Sequence, residues 1–168
     1  MTDNAFLPVE ITDGNLSAKL IPYGASLCDL RLSGIDHPLI LGFANPADYE
    51  RHKQYYFGAI IGRYAGRIAN GRCSVEGQPL ELDINAPPNH LHGGKDALAH
   101  RVWKLEQQTD SSVTFIIESP DGDNGYAGHV DVRIGYEILR PHILRVTITA
   151  ETSHPAPLNF THLSLIHI

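Results

Sequence analysis

The residues best suited to chemistry are two histidines, His90 and His92, in the run Asn89-His90-Leu91-His92-Gly93-Gly94. Pro87-Pro88 precedes the run and a glycine pair closes it, so the backbone is stiffened on one side and freed on the other. A loop of that kind holds imidazoles at the mouth of a scaffold, where they donate or accept protons near neutral pH. Upstream, Gly62-Arg63-Tyr64-Ala65-Gly66-Arg67-Ile68 places two guanidinium groups in a glycine-punctuated segment that brings planar donors close to a polar ligand. Together the two stretches suit a neutral, hydroxyl-rich molecule.

Other chemistries fit the same residues less well. A His-x-His pair begins some metal sites, which need a nearby carboxylate and a further histidine. His100 and Glu106 are available, but Gly93-Gly94 and Trp103 suit that pattern poorly, and no metal is expected. Asp121, Asp123 and Asn124 lack the spaced ligands and closing glutamate of a calcium loop, and turn chemistry accounts for them. Trp103, Tyr126 and Phe57 are candidates for stacking on a sugar ring or for core packing. Cys28 and Cys73 lie far apart in alternating segments and read as buried thiols, not as a disulfide.

The elements that must position these residues are short strands. From His129 to Leu139, Val130, Val132, Ile134, Tyr136 and Ile138 share one parity while Asp131, Arg133 and Glu137 take the other. Leu144, Val146, Ile148 and Ala150 repeat the pattern after Arg140-Pro141-His142. Two hairpins precede them, one turning at Gly77 and one at Asp110-Ser111-Ser112. Further upstream, Cys28, Leu30 and Leu32 are expected on one face with Asp29 and Arg31 on the other. The only helix predicted is a short turn over Asn45 to Arg51, capped by Asn45. A last alternating run, Leu158 to Ile168, stops without a turn or polar tail. Short strands at regular spacing with Gly/Pro turns give an all-β fold, an antiparallel β-sandwich.

At 168 residues, 42% hydrophobic and 19% charged, the chain is globular and has room for one domain with a real core. A net charge of -6 without a Lys/Arg cluster argues against nucleic acid and against a polybasic membrane anchor. No window approaches the ~20 apolar residues of a spanning helix, and the polar, acidic start is unlike a signal peptide, so the expected setting is cytoplasmic.

Taken in order, the motifs resemble one family, the aldose 1-epimerases or galactose mutarotases. The resemblance is carried by Tyr23-Gly24-Ala25-Ser26-Leu27, Leu41-Gly42-Phe43 with Tyr49, Tyr56-Phe57-Gly58-Ala59, the Gly62 to Ile68 and Asn89 to Gly94 segments, Trp103, Ser119-Pro120-Asp121-Gly122 and Gly125-Tyr126-Ala127-Gly128. It implies a large antiparallel β-sandwich with a sugar pocket on a concave face, interconverting the α and β anomers of an aldohexose such as galactose or glucose. A general acid protonates the ring oxygen and a general base takes the anomeric hydroxyl proton, so no metal or organic cofactor is required. By position, Arg67 resembles the family's arginine that binds sugar hydroxyls, and His92 its sugar-contacting histidine.

The chain departs from the family at three places. Gly66 stands where the family usually has an asparagine that contacts the sugar. In the last run an ungapped match puts Leu163 at the position of the acid histidine and His162 at the variable position before it, so His162 is the candidate catalytic residue only if the register slips by one. On the ungapped register His162 projects with Leu158 and Phe160, away from the face of Asn159 and Thr161. The family's carboxylate base and a further acidic sugar ligand have no counterpart. The expectation is therefore residues 1–168 as a partial, N-terminal mutarotase sandwich, departing from the family after about residue 162. Such a chain is expected to self-associate through its truncated sheet and not to catalyse alone. A non-catalytic sugar-binding module is the main alternative. A sugar-phosphate epimerase is another, for which Arg63, Arg67, Arg72 and Lys95 are the nearby cations.

Overall fold

The strand with the clearest alternation organises the core. In this computed structural model, which describes residues 3–166, Val130–Leu139 runs through the middle of a four-stranded antiparallel sheet. Its residues Val130, Val132, Ile134, Tyr136 and Ile138 are all at most 4% exposed. Each such side chain contributes about 1.5–3 kcal/mol relative to leaving it in water. The inward row faces a three-stranded meander, and the two sheets enclose the main core, with Ile11, Leu16, Ala18, Leu20 and Leu27 from one side and Val113, Phe115 and the Val130 row from the other. The Tyr136 hydroxyl donates to the Ala25 carbonyl at 2.8 Å and ties the layers together.

In chain order the meander is β1 (Val9–Thr12), β2 (Leu16–Ile21) and β3 (Ser26–Leu32). After the short helix α1 (Asp48–Arg51) come β4 (Ala59–Ile61), β5 (Arg67–Ile68), β6 (Arg72–Val75), β7 (Gln78–Glu81) and β8 (His90–Leu91). The four-stranded sheet then forms from β9 (Lys104–Gln108), β10 (Ser112–Ser119), β11 (Val130–Leu139) and β12 (Ile143–Thr152), in the order β12-β11-β10-β9. Finally β13 (Thr161–Leu163) pairs antiparallel with β4. Both expected hairpins form, β6–β7 through Glu76-Gly77 and β9–β10 through residues 109–111. No helix among the described residues is long and apolar enough to cross a membrane.

Three expectations are corrected. The register between β2 and β3 slips at Lys19/Leu20, pairing Lys19 with Asp29 and Leu20 with Leu27. Cys28 is thus the extra residue of a bulge, and a bulge exchanges faces. Leu27, Leu30 and Leu32 pack on the main core while Cys28 joins a separate cluster with Tyr49, Phe43 and Phe57. The helix begins only at Asp48, and its N-cap, Ala47, makes no side-chain cap bond; Asn45 Oδ1 instead accepts the Ala47 N–H at 3.1 Å, an Asx turn before the helix. The last alternating run yields a strand of only three residues, its register set by β4. Beyond it an isolated bridge joins Ile166 to Ile40; His167 and Ile168 lie outside the described residues.

Candidate functional site

Arg67 and His92 come together through a two-residue ladder. β5 and β8 pair antiparallel, Arg67 opposite Leu91 and Ile68 opposite His90. Alternation sends Ile68 and His90 inward, where both are buried, and Arg67 outward, where it is exposed. His92 would point inward if the strand continued, but its φ of 53° turns the chain out of the ladder. Its N–H donates to the Gly66 carbonyl at 3.0 Å, and the Gly66 N–H donates to its Nδ1, also at 3.0 Å. The imidazole therefore lies over Gly66, directly before Arg67.

That pair of bonds settles the chemistry of the ring. Nδ1 accepts a hydrogen bond, so the ring proton sits on Nε2, which is left as a donor. Burial holds the His92 pKa below the ordinary histidine value, and the Arg67 guanidinium pushes it the same way. The Arg67 guanidinium has no hydrogen-bond or ion-pair partner among the described residues. Two donor groups, one cationic and one neutral, thus sit side by side on one surface edge. No Cβ contact would lie within 4 Å of Gly66, so the space beside them is open.

The loop carrying His92 is held by residues whose role the sequence did not reveal. Asn85 clamps Leu91 at both backbone groups, donating from Nδ2 to the Leu91 carbonyl at 2.8 Å and accepting the Leu91 N–H at 2.7 Å. Gly93 backs directly onto Gly62: a Cβ there would lie 1.9 Å from the Gly62 carbonyl oxygen. His90 is interior scaffold. Its Nδ1 donates to the Asp83 carbonyl and its Nε2 accepts from the Tyr126 hydroxyl, both at 2.6 Å, which leaves neither nitrogen for a metal or a ligand. Tyr126 and Trp103, each 1% exposed, are core residues. Tyr56 packs its ring against His92 at a centroid separation of 5.2 Å. Asn85 carries no periodicity or motif signal, and the motif Tyr56-Phe57-Gly58-Ala59 marked Tyr56 without showing that its ring meets His92.

Arg63 differs sharply from Arg67. It is 2% exposed, and its guanidinium donates to the Ser119 hydroxyl and to the carbonyls of Ser119, Pro120, Ala127 and Gly128. Ser119 in turn bonds the Asp123 carboxylate, which Arg101 grips through both terminal nitrogens. This network pins the site segment to the turn over 119–128. Asp121, Asp123 and Asn124 are spent within and around that turn, through Gly128, Arg101 and Asp96.

His162 is on a different face from Arg67 and His92. It pairs with Ile60, a main-core residue, and its ring meets the Tyr136 ring edge-on at 5.8 Å, with Leu158 and Phe160 packed on the same core. Burial pushes its pKa down, and its buried Nε2 has no hydrogen-bond partner among the described residues. Leu163, by contrast, joins Tyr56, Ala59, Ile61, Ala65 and Ala99, the cluster against which His92 rests. So the residues of β13 on the site side are Thr161 and Leu163, paired with Ile61 and Ala59, and neither is a histidine.

Two of the surface hollows lie elsewhere. One, of about 490 Å3, crosses the outer face of the four-stranded sheet between Lys104, Glu118 and Arg133. The other, of about 510 Å3, lies beside β3 and includes Cys28, whose thiol burial pushes up to about 12, leaving it protonated and unreactive.

Comparison with known proteins agrees with the fold. The sequence model of the aldose 1-epimerase family matches residues 8–165. Aldose 1-epimerase of Escherichia coli K12 is 34% identical over 153 residues, covering 89% of this chain and 44% of that protein. Galactose mutarotase of Rattus norvegicus is 34% identical over 162 residues, covering 95% and 46%. A solved aldose epimerase homologue from C. elegans superposes with a TM-score of 0.90 at 27% identity, over 96% of this chain and 51% of that one. A galactose 1-epimerase from Lactobacillus acidophilus shares the fold with a TM-score of 0.85. The chain spans less than half the length of these curated relatives. With the family's sequence model matching nearly the whole chain and relatives at 34% identity, the chain belongs to the aldose 1-epimerase family.

Proposed function

We propose that this chain carries the sugar-holding part of an aldose 1-epimerase site, with Arg67 and His92 as its contacts to an aldohexose. The observation that carries the reading is the unpaired Arg67 guanidinium next to an imidazole whose donor nitrogen is left open. The planar guanidinium spans two neighbouring hydroxyls of a pyranose. The neutral His92 Nε2–H donates to an oxygen near the anomeric end. Anomer exchange then needs an acid at the ring oxygen and a base at the anomeric hydroxyl. Leu163 has no proton to give, and His162 points into the core. Both features favour a second reading, for this chain taken alone: sugar binding without turnover.

Calorimetric titration with galactose and glucose tests the first reading, and polarimetry of freshly dissolved α-D-galactose separates the two. Binding is expected, weakened roughly 10- to 100-fold in Arg67→Ala, the loss of about 1.5–3 kcal/mol for hydrogen bonds to a charged group. The mutarotation rate is expected to stay at the buffer rate. Acceleration that disappears in His162→Ala would assign that histidine the acid's role and overturn the non-catalytic reading; no binding at millimolar sugar would remove the site itself.

A further inference from the structure

Tyr56 has a backbone that its side chain should avoid. Its φ and ψ of 54° and 25° lie in the left-handed region, which a bulky L residue occupies only when its surroundings hold it there. What holds it is its ring. One contact is edge-on with His92, 5.2 Å between centroids at 67°; another is a stack on His100, 4.8 Å at 30°. Below lie Ala59, Ile61, Ala99 and Leu163. The His100 Nε2 approaches the Lys53 carbonyl at 3.3 Å, and the same carbonyl accepts the Tyr56 N–H at 3.2 Å. Three rings therefore stand in file from the Lys53 turn to Gly66.

We infer that Tyr56 is a positioning residue that fixes the plane of the His92 imidazole. The Gly66 N–H decides which nitrogen carries the proton, but one hydrogen bond leaves the ring free to rock about that contact. A tilted aromatic neighbour at 67° removes that freedom, because the edge-on arrangement is the favoured one for ring pairs. With its plane set, Nε2–H keeps one direction, and the ring contacts that fix it offset the strained backbone of Tyr56. The inference rests on the sugar reading of His92 only for its effect on affinity; the effect on the imidazole stands by itself.

The left-handed backbone makes a clean test available. Tyr56→Gly suits the φ and removes the ring; Tyr56→Asn, the side chain that best tolerates this region, does the same with a different perturbation; Tyr56→Phe keeps the ring and removes the hydroxyl. Proton–nitrogen NMR of the imidazoles across pH, without sugar, is the first readout. The natural chain and Tyr56→Phe are expected to show His92 as a single tautomer protonated at Nε2 and titrating below ordinary histidine. In Tyr56→Gly and Tyr56→Asn the unsupported ring is expected to swing off the Gly66 N–H, so that the two nitrogen shifts average and the titration moves back up. Galactose titration is the second readout, with affinity about tenfold weaker in the two ringless variants and within about twofold in Tyr56→Phe. A folded ringless variant in which His92 keeps its tautomer and its titration would refute the positioning role. If no variant and not the natural chain binds sugar, the sugar reading fails, and the nitrogen spectra still decide the role of Tyr56.

Discussion

Arg63 and Arg67, both in the glycine-punctuated segment, are used in opposite ways. Arg63 is a buried cation neutralised by carbonyl oxygens and the nearby Asp123, so removing it strands the carbonyls of Ser119, Pro120, Ala127 and Gly128. Arg63→Met is expected to cost about 3–5 kcal/mol in urea unfolding. Arg67→Ala is expected to change stability by less than about 0.5 kcal/mol while sugar binding weakens, because its side chain is exposed and unpaired. Spacing showed two arginines but not which was interior, since the partners of Arg63 lie 56 and more residues downstream. The histidines add a pH dependence. Burial holds His90, His92, His100 and His162 below the free value of 6.5. Between the depressed folded values and 6.5 the unfolded chain binds more protons, so the stability present above that pH is lost as pH falls through the window. Calorimetry should show the melting temperature falling from pH 7.5 to pH 5. His162→Leu, which removes a buried nitrogen without a partner, should flatten part of that fall. An unchanged melt across this range would contradict the sign.

At the level of elements, legibility followed length. The ten residues of β11 repeat their alternation often enough to fix a face, and all five inward positions are buried. β5 and β8, two residues each, are too short for any period, so the site ladder could be reached only through its motifs. The bulge at Cys28 was invisible because one inserted residue reverses parity without altering composition. Register also exposes a weakness. Glu118, Asp131 and Glu151 stand directly opposite one another across β10, β11 and β12, and His129, 3.0 Å from Asp131, and the Arg133 charge near Glu151 soften the row only in part. Like charges at paired positions repel, so Asp131→Thr is expected to raise stability by about 0.5–1 kcal/mol, read from the denaturation midpoint at unchanged slope.

For the whole molecule, the salient feature is the outer edge of the large sheet. β12 is ten residues long, pairs only with β11 among the described residues, and keeps Leu144, Val146, Ile148 and Ala150 half-buried although their neighbours across the ladder are fully buried. An unpaired apolar edge of this length is a template for another strand. Sedimentation velocity is expected to show concentration-dependent association, and Ile148→Lys, an inward-pointing charge on that edge, is expected to suppress it. A single monomeric species at all concentrations would count against this. The sandwich was legible from alternation and turns. The placement of Leu163 on the site side was legible from the register of one family motif.

The back-to-back contact of Gly93 and Gly62 has a consequence for the protein's history as well as its chemistry. In a library randomised at every position and sorted for soluble expression alone, with no carbohydrate present, position 93 should tolerate as little change as Phe115 in the middle of the core. A signature that looks like selection for ligand recognition would then be, at this position, a record of two stretches of main chain that leave no room for an added carbon.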